Sequence, residues 1–280
     1  MGGLSQPALQ RTQGEGRIAL QAHDGQTRLE RLYQAGAFKA RALQPPGQAH
    51  MDIALINTAG GLTGGDTMHL HVEAGPGTST TLSTQACEKF YKAGASGKTV
   101  IETSLRVDDG ARLNWVPQES IAFDGCDVAR TIRVHMAPTA QLLMTESILF
   151  GRHASGERFL SGRFADSWSV YMGEQLVHAE RFAMAGSPEH PAKLAGHTAM
   201  ATVLFVAKDA ERLARAAREA LETPLSTGQA RGGASTWVIG GAAKLLVRLV
   251  AADGYALRKA LLPVIAALSE GHSLARLWKT

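Results

Sequence analysis

Two acidic clusters carry the residues best suited to chemistry in this sequence. Glu119 lies in WVPQESIAFDG with Asp124 behind it, and Glu146 lies in TESILFGRHASGE with Glu157 behind it. Each carboxylate sits among apolar neighbours, where an unpaired charge is costly. Three chemistries fit that pattern. A pair of carboxylates at catalytic separation would hydrolyse glycosides by acid/base or nucleophilic steps. A hydrated interior path lined with single carboxylates would suit hard or borderline divalent cations. Buried salt bridges with Arg130, Arg133, Arg152 or Arg158 would simply support the fold.

Other residues narrow the choice. The glycine block AGGLTGGD, Ala59 to Asp66, lacks the Lys of a phosphate-binding loop and leads into an alternating strand, not a helix. It reads instead as a tightly bent backbone, with Asp66 accepting backbone N–H groups to lock the bend. His69 and His71 lie on one face of the strand TMHLHV at a spacing that suits a divalent metal. No third ligand stands near them, so no stable metal site is expected. Cys87 and Cys126 belong to no C-x-x-C pair, which excludes zinc-ribbon and thioredoxin readings. No nucleophile elbow or H-E-x-x-H motif is present, and no catalytic site is visible.

The elements that must hold these residues are mainly strands. Arg17 to Ala22 and Thr27 to Leu32 flank Asp24-Gly25, a hairpin signal. Alternation recurs at 67–72, 80–83, 99–107, 131–136 and 168–172. Three segments share one plan, a strand-ending Val, a small-residue turn and a strand running to a polar cluster: VEAGPGTSTTLSTQ from Val72, VDDGARLNWVPQES from Val107 and VHMAPTAQLLMTES from Val134. The middle copy is two residues shorter between turn and cluster. Such a repeat predicts a solenoid-like, helicoidal stack of β-hairpins or solenoid turns. Towards the C-terminus, 208–222 reads as an amphipathic helix closed by Pro224, and 255–268 as a second helix that Pro263 starts anew or kinks. Strands at 237–239 and 244–250, turned at Gly240-Gly241, separate the two. Residues 1–15 read as a disordered tail and 16–280 as one β domain with a helical C-terminal part.

Composition removes further classes. The chain has 280 residues, 45% of them hydrophobic, which is enough for a sizeable core. Its net charge of +4 comes from scattered basic residues, and with 6% aromatics neither a nucleic-acid stripe nor a stacking platform is expected. No apolar run approaches the roughly 20 residues of a membrane span, and the N-terminus lacks a signal peptide. A reduced, cytoplasmic setting is expected.

In order along the chain stand LYQAGAFKAR (Leu32–Arg41), INTAGGLTGGD (Ile56–Asp66), STQACEKFYKA (Ser83–Ala93), WVPQESIAFDG (Trp115–Gly125), GRHASGERF (Gly151–Phe159) and the D-x-W of Asp166–Trp168. Together they make the chain resemble the UreD (also called UreH) family of urease accessory proteins. Two departures stand out: Thr58-Ala59 where the family often has Pro before the glycines, and Gln85 and Glu88 where Pro and Thr are frequent. The resemblance implies a mostly β, helicoidal fold and no enzymatic activity. It implies a scaffold in nickel insertion and urease maturation, part of nitrogen metabolism, that binds the urease apoprotein and a UreF-like partner, which recruits a UreG-like GTPase. It also implies transient Ni2+ passing along an internal path, with no tightly bound cofactor. On that reading Glu119 and Glu146, then Asp66 and Asp124, line or shape the path. The alternative is a β-solenoid carbohydrate-active enzyme using paired carboxylates.

Overall fold

The computed structural model describes residues 10–43, 47–152, 155–270 and Trp278. The first hairpin joins β1 (Gln13–His23) to β2 (Gln26–Gly36), and Asp24 and Gly25 both take positive φ, 50° and 71°. That is the backbone a two-residue hairpin turn needs to match strand twist. β1 already begins at Gln13, inside the segment expected as tail; residues 1–9 of that segment lie outside the described residues. β3 (Phe38–Leu43) and β4 (Met51–Asn57) form a second antiparallel pair.

Three coils follow. They are β5 (Thr67–Ala74) with β6 (Ser79–Thr84), β8 (Thr99–Val107) with β9 (Arg112–Trp115), and β11 (Asp127–Met136) with β12 (Gln141–Phe150); the short β7 (Glu88–Phe90) and β10 (Ser120–Ala122) extend the first two. The hairpin of β13 (Arg163–Met172) and β14 (Gln175–Ala185) ends this part. One sheet has seven strands in the order β14-β13-β11-β8-β5-β1-β2, and β1, β5, β8, β11 and β13 run parallel. The second contains the parallel run β4, β6, β9 and β12. The two strands of each coil therefore lie in different sheets. The units stack as solenoid turns, not as self-paired hairpins.

Strand register corrects the alignment of the middle repeat. Val72 pairs with Leu105, and Leu105 with Val134; Ser79 pairs with Arg112, and Arg112 with Gln141. The step from 72 to 79, from 105 to 112 and from 134 to 141 is the same. The middle copy is anchored on Leu105 instead of Val107, and its apparent shortness disappears. A two-residue slip keeps every side chain on its face, so the hydrophobic pattern could not detect it.

The C-terminal part adds α1 (Pro191–Leu194), β15 (Ala199–Ala207), a 3-10 turn at Ala210–Leu213, α2 (Ala214–Ser226), the hairpin of β16 (Ala230–Ile239) and β17 (Ala242–Ala251), and α3 (Gly254–Leu268). β15 and β17 continue the second sheet beside β12, making ten strands in all, with β16 and β3 at its ends. α2 begins later than expected and runs past Pro224, whose buried ring packs in the last turn. α3 is continuous through Pro263, held by buried Leu257, Leu261, Val264 and Ile265, and Asp253 caps its start by accepting the N–H of Ala256 at 2.8 Å. No helix of the described residues is long and apolar enough to cross a membrane.

The central strands β9, β12 and β15 of the second sheet are buried on both faces, whereas β16 at its end is largely exposed. Leu143, Val203 and Phe205 pack outward under the helices. Leu142, Met144 and Leu204 pack inward against Val72, Leu105 and Val134 of the first sheet. A separate aromatic core of Phe90, Phe150, Phe159 and Phe164 fills the space nearer β7 and β10.

Candidate functional site

Between those two inner cores lies a belt of charge. β11 carries Arg130 inward between Ile101 of β8 and Asp166 of β13, and β12 carries Glu146 inward from the opposing sheet. The Arg130 guanidinium donates to both Asp166 oxygens, from Nε at 3.1 Å and from Nη2 at 2.6 Å. Its Nη1 contacts Glu146 Oε2 and reaches Ser120 Oγ at 3.3 Å. The other Glu146 oxygen is used too, since Trp115 Nε1 donates to Oε1 at 2.8 Å, and Asp166 Oδ2 accepts a second hydrogen bond, from Trp168 Nε1 at 3.1 Å. The guanidinium carbon lies 5.3 Å from the Phe164 ring centroid.

All three charged residues are buried, and their formal charges sum to one negative. Burial pushes the Glu146 carboxyl up to about 7, with the nearby charge of Asp166 adding to it; Arg130 and the Trp115 N–H oppose that rise. Burial works against the Arg130 charge, but Asp166 and Glu146 more than offset it and hold the guanidinium charged.

A cavity of about 690 Å³ opens on one side of the belt. Its walls are largely apolar, among them Phe38, Leu62, Met68 and Ile101, and Arg130 and Glu146 form its charged floor. Cys87, Glu88 and Arg258 stand elsewhere in its lining.

The other sequence-selected residues have different settings. Glu119 is buried and held by Arg258 of α3, which donates from Nε at 2.8 Å and from Nη2 at 2.6 Å. The Cys87 thiol points to Glu119 Oε2 at 3.6 Å, and burial and the Glu119 charge push it up to about 11. Glu88, the departure noted above, accepts twice from Asn57 Nδ2 at 3.1 Å, and burial raises its carboxyl. Asp66 locks the glycine bend as expected: Oδ1 accepts the N–H of Thr12 and Oδ2 that of Thr63, both at 2.8 Å. Within that bend a Cβ on Gly64 would stand 2.2 Å from the carbonyl oxygen of Gly97, so only glycine fits. Asp124 clamps the 160–161 loop by accepting the N–H groups of Leu160 and Ser161 at 2.7 and 2.8 Å, which hold its carboxyl below the usual range.

His69 faces Glu102 at 3.2 Å and His71 faces Glu73 at 3.0 Å, all four side chains substantially exposed. Among the described residues no group of three or more His, Cys, Asp or Glu side chains is placed to hold a metal ion.

The structure thus brings Glu146, but not Asp66 or Asp124, to the cavity floor. Glu119 and Glu146 do not share a partner: Arg258 holds Glu119, whereas Glu146 shares Arg130 with Asp166. Arg130 was among the partners the spacing suggested, and Glu157 also finds an expected one, Arg152, at 2.7 Å. Arg258 was not foreseen, because it stands 139 residues from Glu119. Asp166 and Trp115 were visible as members of sequence blocks, but nothing local marks them as partners of Arg130 and Glu146.

Fold and site define a class: a two-sheet β-solenoid with a charged, occluded belt at the floor of an open cavity. Residues 12–279 match the family described as UreD urease accessory protein. A urease accessory protein UreD of Rhizobium rhizogenes is 44% identical over 274 residues, covering 96% of each chain. A urease accessory protein UreD 1 of Brucella abortus is 42% identical over 279 residues, covering 98% of this chain and 96% of its own. The chain belongs to the UreD family of urease accessory proteins. These relatives are named as urease accessory proteins, not as enzymes.

Proposed function

We propose that this protein is a cytoplasmic scaffold that binds the urease apoprotein and a UreF-like partner, which recruits a UreG-like GTPase, and that its interior helps nickel reach the nascent urease site. Nickel is cargo here, held transiently, and no tightly bound cofactor is part of the reading. The observation that carries it is the open cavity of about 690 Å³ whose floor is formed by Arg130 and Glu146, with Asp166 holding Arg130 from behind. A delivery protein must release its metal. A lone carboxylate shared with an arginine suits that better than a closed set of four ligands. Glu146 is the principal interior carboxylate on this reading, Glu119 shapes the wall through Arg258, and Asp66 and Asp124 hold the loops around it.

The test is co-expression with a urease operon. Tagged protein should pull down the UreF-like chain and apo-urease. Glu146→Gln together with Glu119→Gln should preserve that pull-down while lowering the nickel content of the urease produced. Nickel content equal to that obtained with the parent protein would sink the interior-route reading.

A further inference from the structure

The large cavity is not the only space beside the belt. A second one, of about 20 Å³, lies behind it and is lined by Asp166, Glu180, Phe182 and Thr202. That volume is enough for about one water molecule or a bare ion. Among the described residues Arg130 and Glu146 alone line both cavities, so the pair forms the partition between them. On the far side Glu180 is tied to Arg248 at 2.5 Å, and the Arg248 side chain is 59% exposed. A line of charged groups therefore runs from the open cavity through the belt to the opposite edge of the sandwich.

We propose that Arg130 is a charge gate on this line: its guanidinium keeps a divalent cation in the large cavity from entering the small one, and its contact with Glu146 is the one that yields. The contacts differ in strength. Asp166 holds Arg130 through two hydrogen bonds in a fork, whereas Glu146 touches only Nη1. Asp166 lines only the inner cavity, so a cation in the outer one meets Glu146 first. A dication that takes over the Glu146 carboxylate removes one anchor of the guanidinium and repels it towards Asp166. The small cavity, with Glu180 on its wall, is then open to the ion. Without that exchange a fixed positive charge in a low-dielectric wall opposes entry.

The inference rests on reading the interior as a cation route, but its test needs no urease. In full-length protein carrying Cys87→Ser and Cys126→Ala, Thr202→Cys puts a thiol in the inner cavity. The rate of Cd2+–thiolate absorbance is followed after mixing with cadmium chloride. Arg130→Met with Asp166→Asn removes the guanidinium while leaving the formal charge of the belt unchanged, and should speed Cd2+ arrival about tenfold or more, the factor that a modest barrier implies. The native Cys87 thiol, read separately in protein carrying Cys126→Ala alone, should gain nothing from the double change. No acceleration at position 202, or an equal one at Cys87 from general loosening, overturns the gate. Glu146→Gln, which keeps Arg130 bound to Asp166, gives a second reading should the double variant fail to fold. It removes the carboxylate that exchanges, so arrival at position 202 should slow, and an equal or faster rate also overturns the gate. Loss of urease activation with the gate kinetics intact would count against the scaffold reading alone.

Discussion

Two of the arginine–glutamate pairs that hold this protein's interior are built in opposite ways. Arg130 and Glu146 come from the two strands of one solenoid coil, in opposing sheets, with side chains 8% and 4% exposed, and share their charge with Asp166 of the next strand, β13. Arg258 reaches Glu119 from the last helix, with side chains 28% and 3% exposed. The first pair lies between two apolar cores with both side chains buried, so removing one part leaves the others without a charged partner. The second is a clasp by which α3 closes on the cavity wall, and water can replace the arginine. The same two residue types thus make a core element in one place and a fastening in the other.

The sharpest way to break that contrast is to remove each arginine in turn. Arg130→Met leaves two buried carboxylates facing each other and should cost about 3–5 kcal/mol in urea denaturation. Glu146→Gln leaves Arg130 paired with Asp166 and keeps an acceptor for Trp115, so about 1 kcal/mol is expected. If the two changes cost the same, the asymmetry assigned to the belt is wrong.

A pH titration probes the inner edge next. Burial, then the charges of Lys244 and Arg248, lowers the His178 imidazole to about 4. The unfolded chain, at the ordinary value near 6.5, therefore takes up the proton first. Stability from this site is complete above pH 6.5 and falls as pH drops towards 4, by at most about 1.4 kcal/mol per unit. His178→Gln should flatten the stability profile in that window, and an unaltered slope would remove His178 as its source.

Smaller still is the cost of Arg258→Ala, about 1–2 kcal/mol, because the arginine is partly solvated and Glu119 is the one charged group that loses its partner, beside a long contact to Gln118 at 3.3 Å. Thermal or urea unfolding of this variant, set beside Arg130→Met, measures the contrast directly. The last effect is chemical. Glu119→Gln removes one of the causes that raise the Cys87 thiol, so alkylation of Cys87 by iodoacetamide at pH 9 should quicken by a few fold. An unchanged rate would mean that burial alone protects the thiol.

The local pattern made much of the solenoid legible. Alternation located β5, β8 and β11, the Asp24-Gly25 turn located the first hairpin, and the echo between the segments starting at Val72 and Val134 exposed the coil repeat. Asp66 was readable as a backbone anchor because a carboxylate ending a glycine bend has few other uses. What local pattern could not give was register. Pairing on Val107 or on Leu105 puts the same faces inward, and only contact between neighbouring coils distinguishes them. The arrangement of the carboxylates was hidden for a similar reason. Glu119 and Glu146 look alike in sequence, each a Glu before a Ser and an apolar run.

By itself, then, the sequence determined that this is a mainly β, repeating chain of the UreD family and that several of its acids are costly to bury. Those properties follow from short-range periodicity and from motif order, which survive without three-dimensional context. Only the tertiary structure decided which arginine each acid receives, and that one pair closes a cavity while the other fastens a helix. Charge pairing across strands of different sheets, and across 139 residues in the case of Arg258, depends on how coils stack and where the tail returns. No local spacing encodes either.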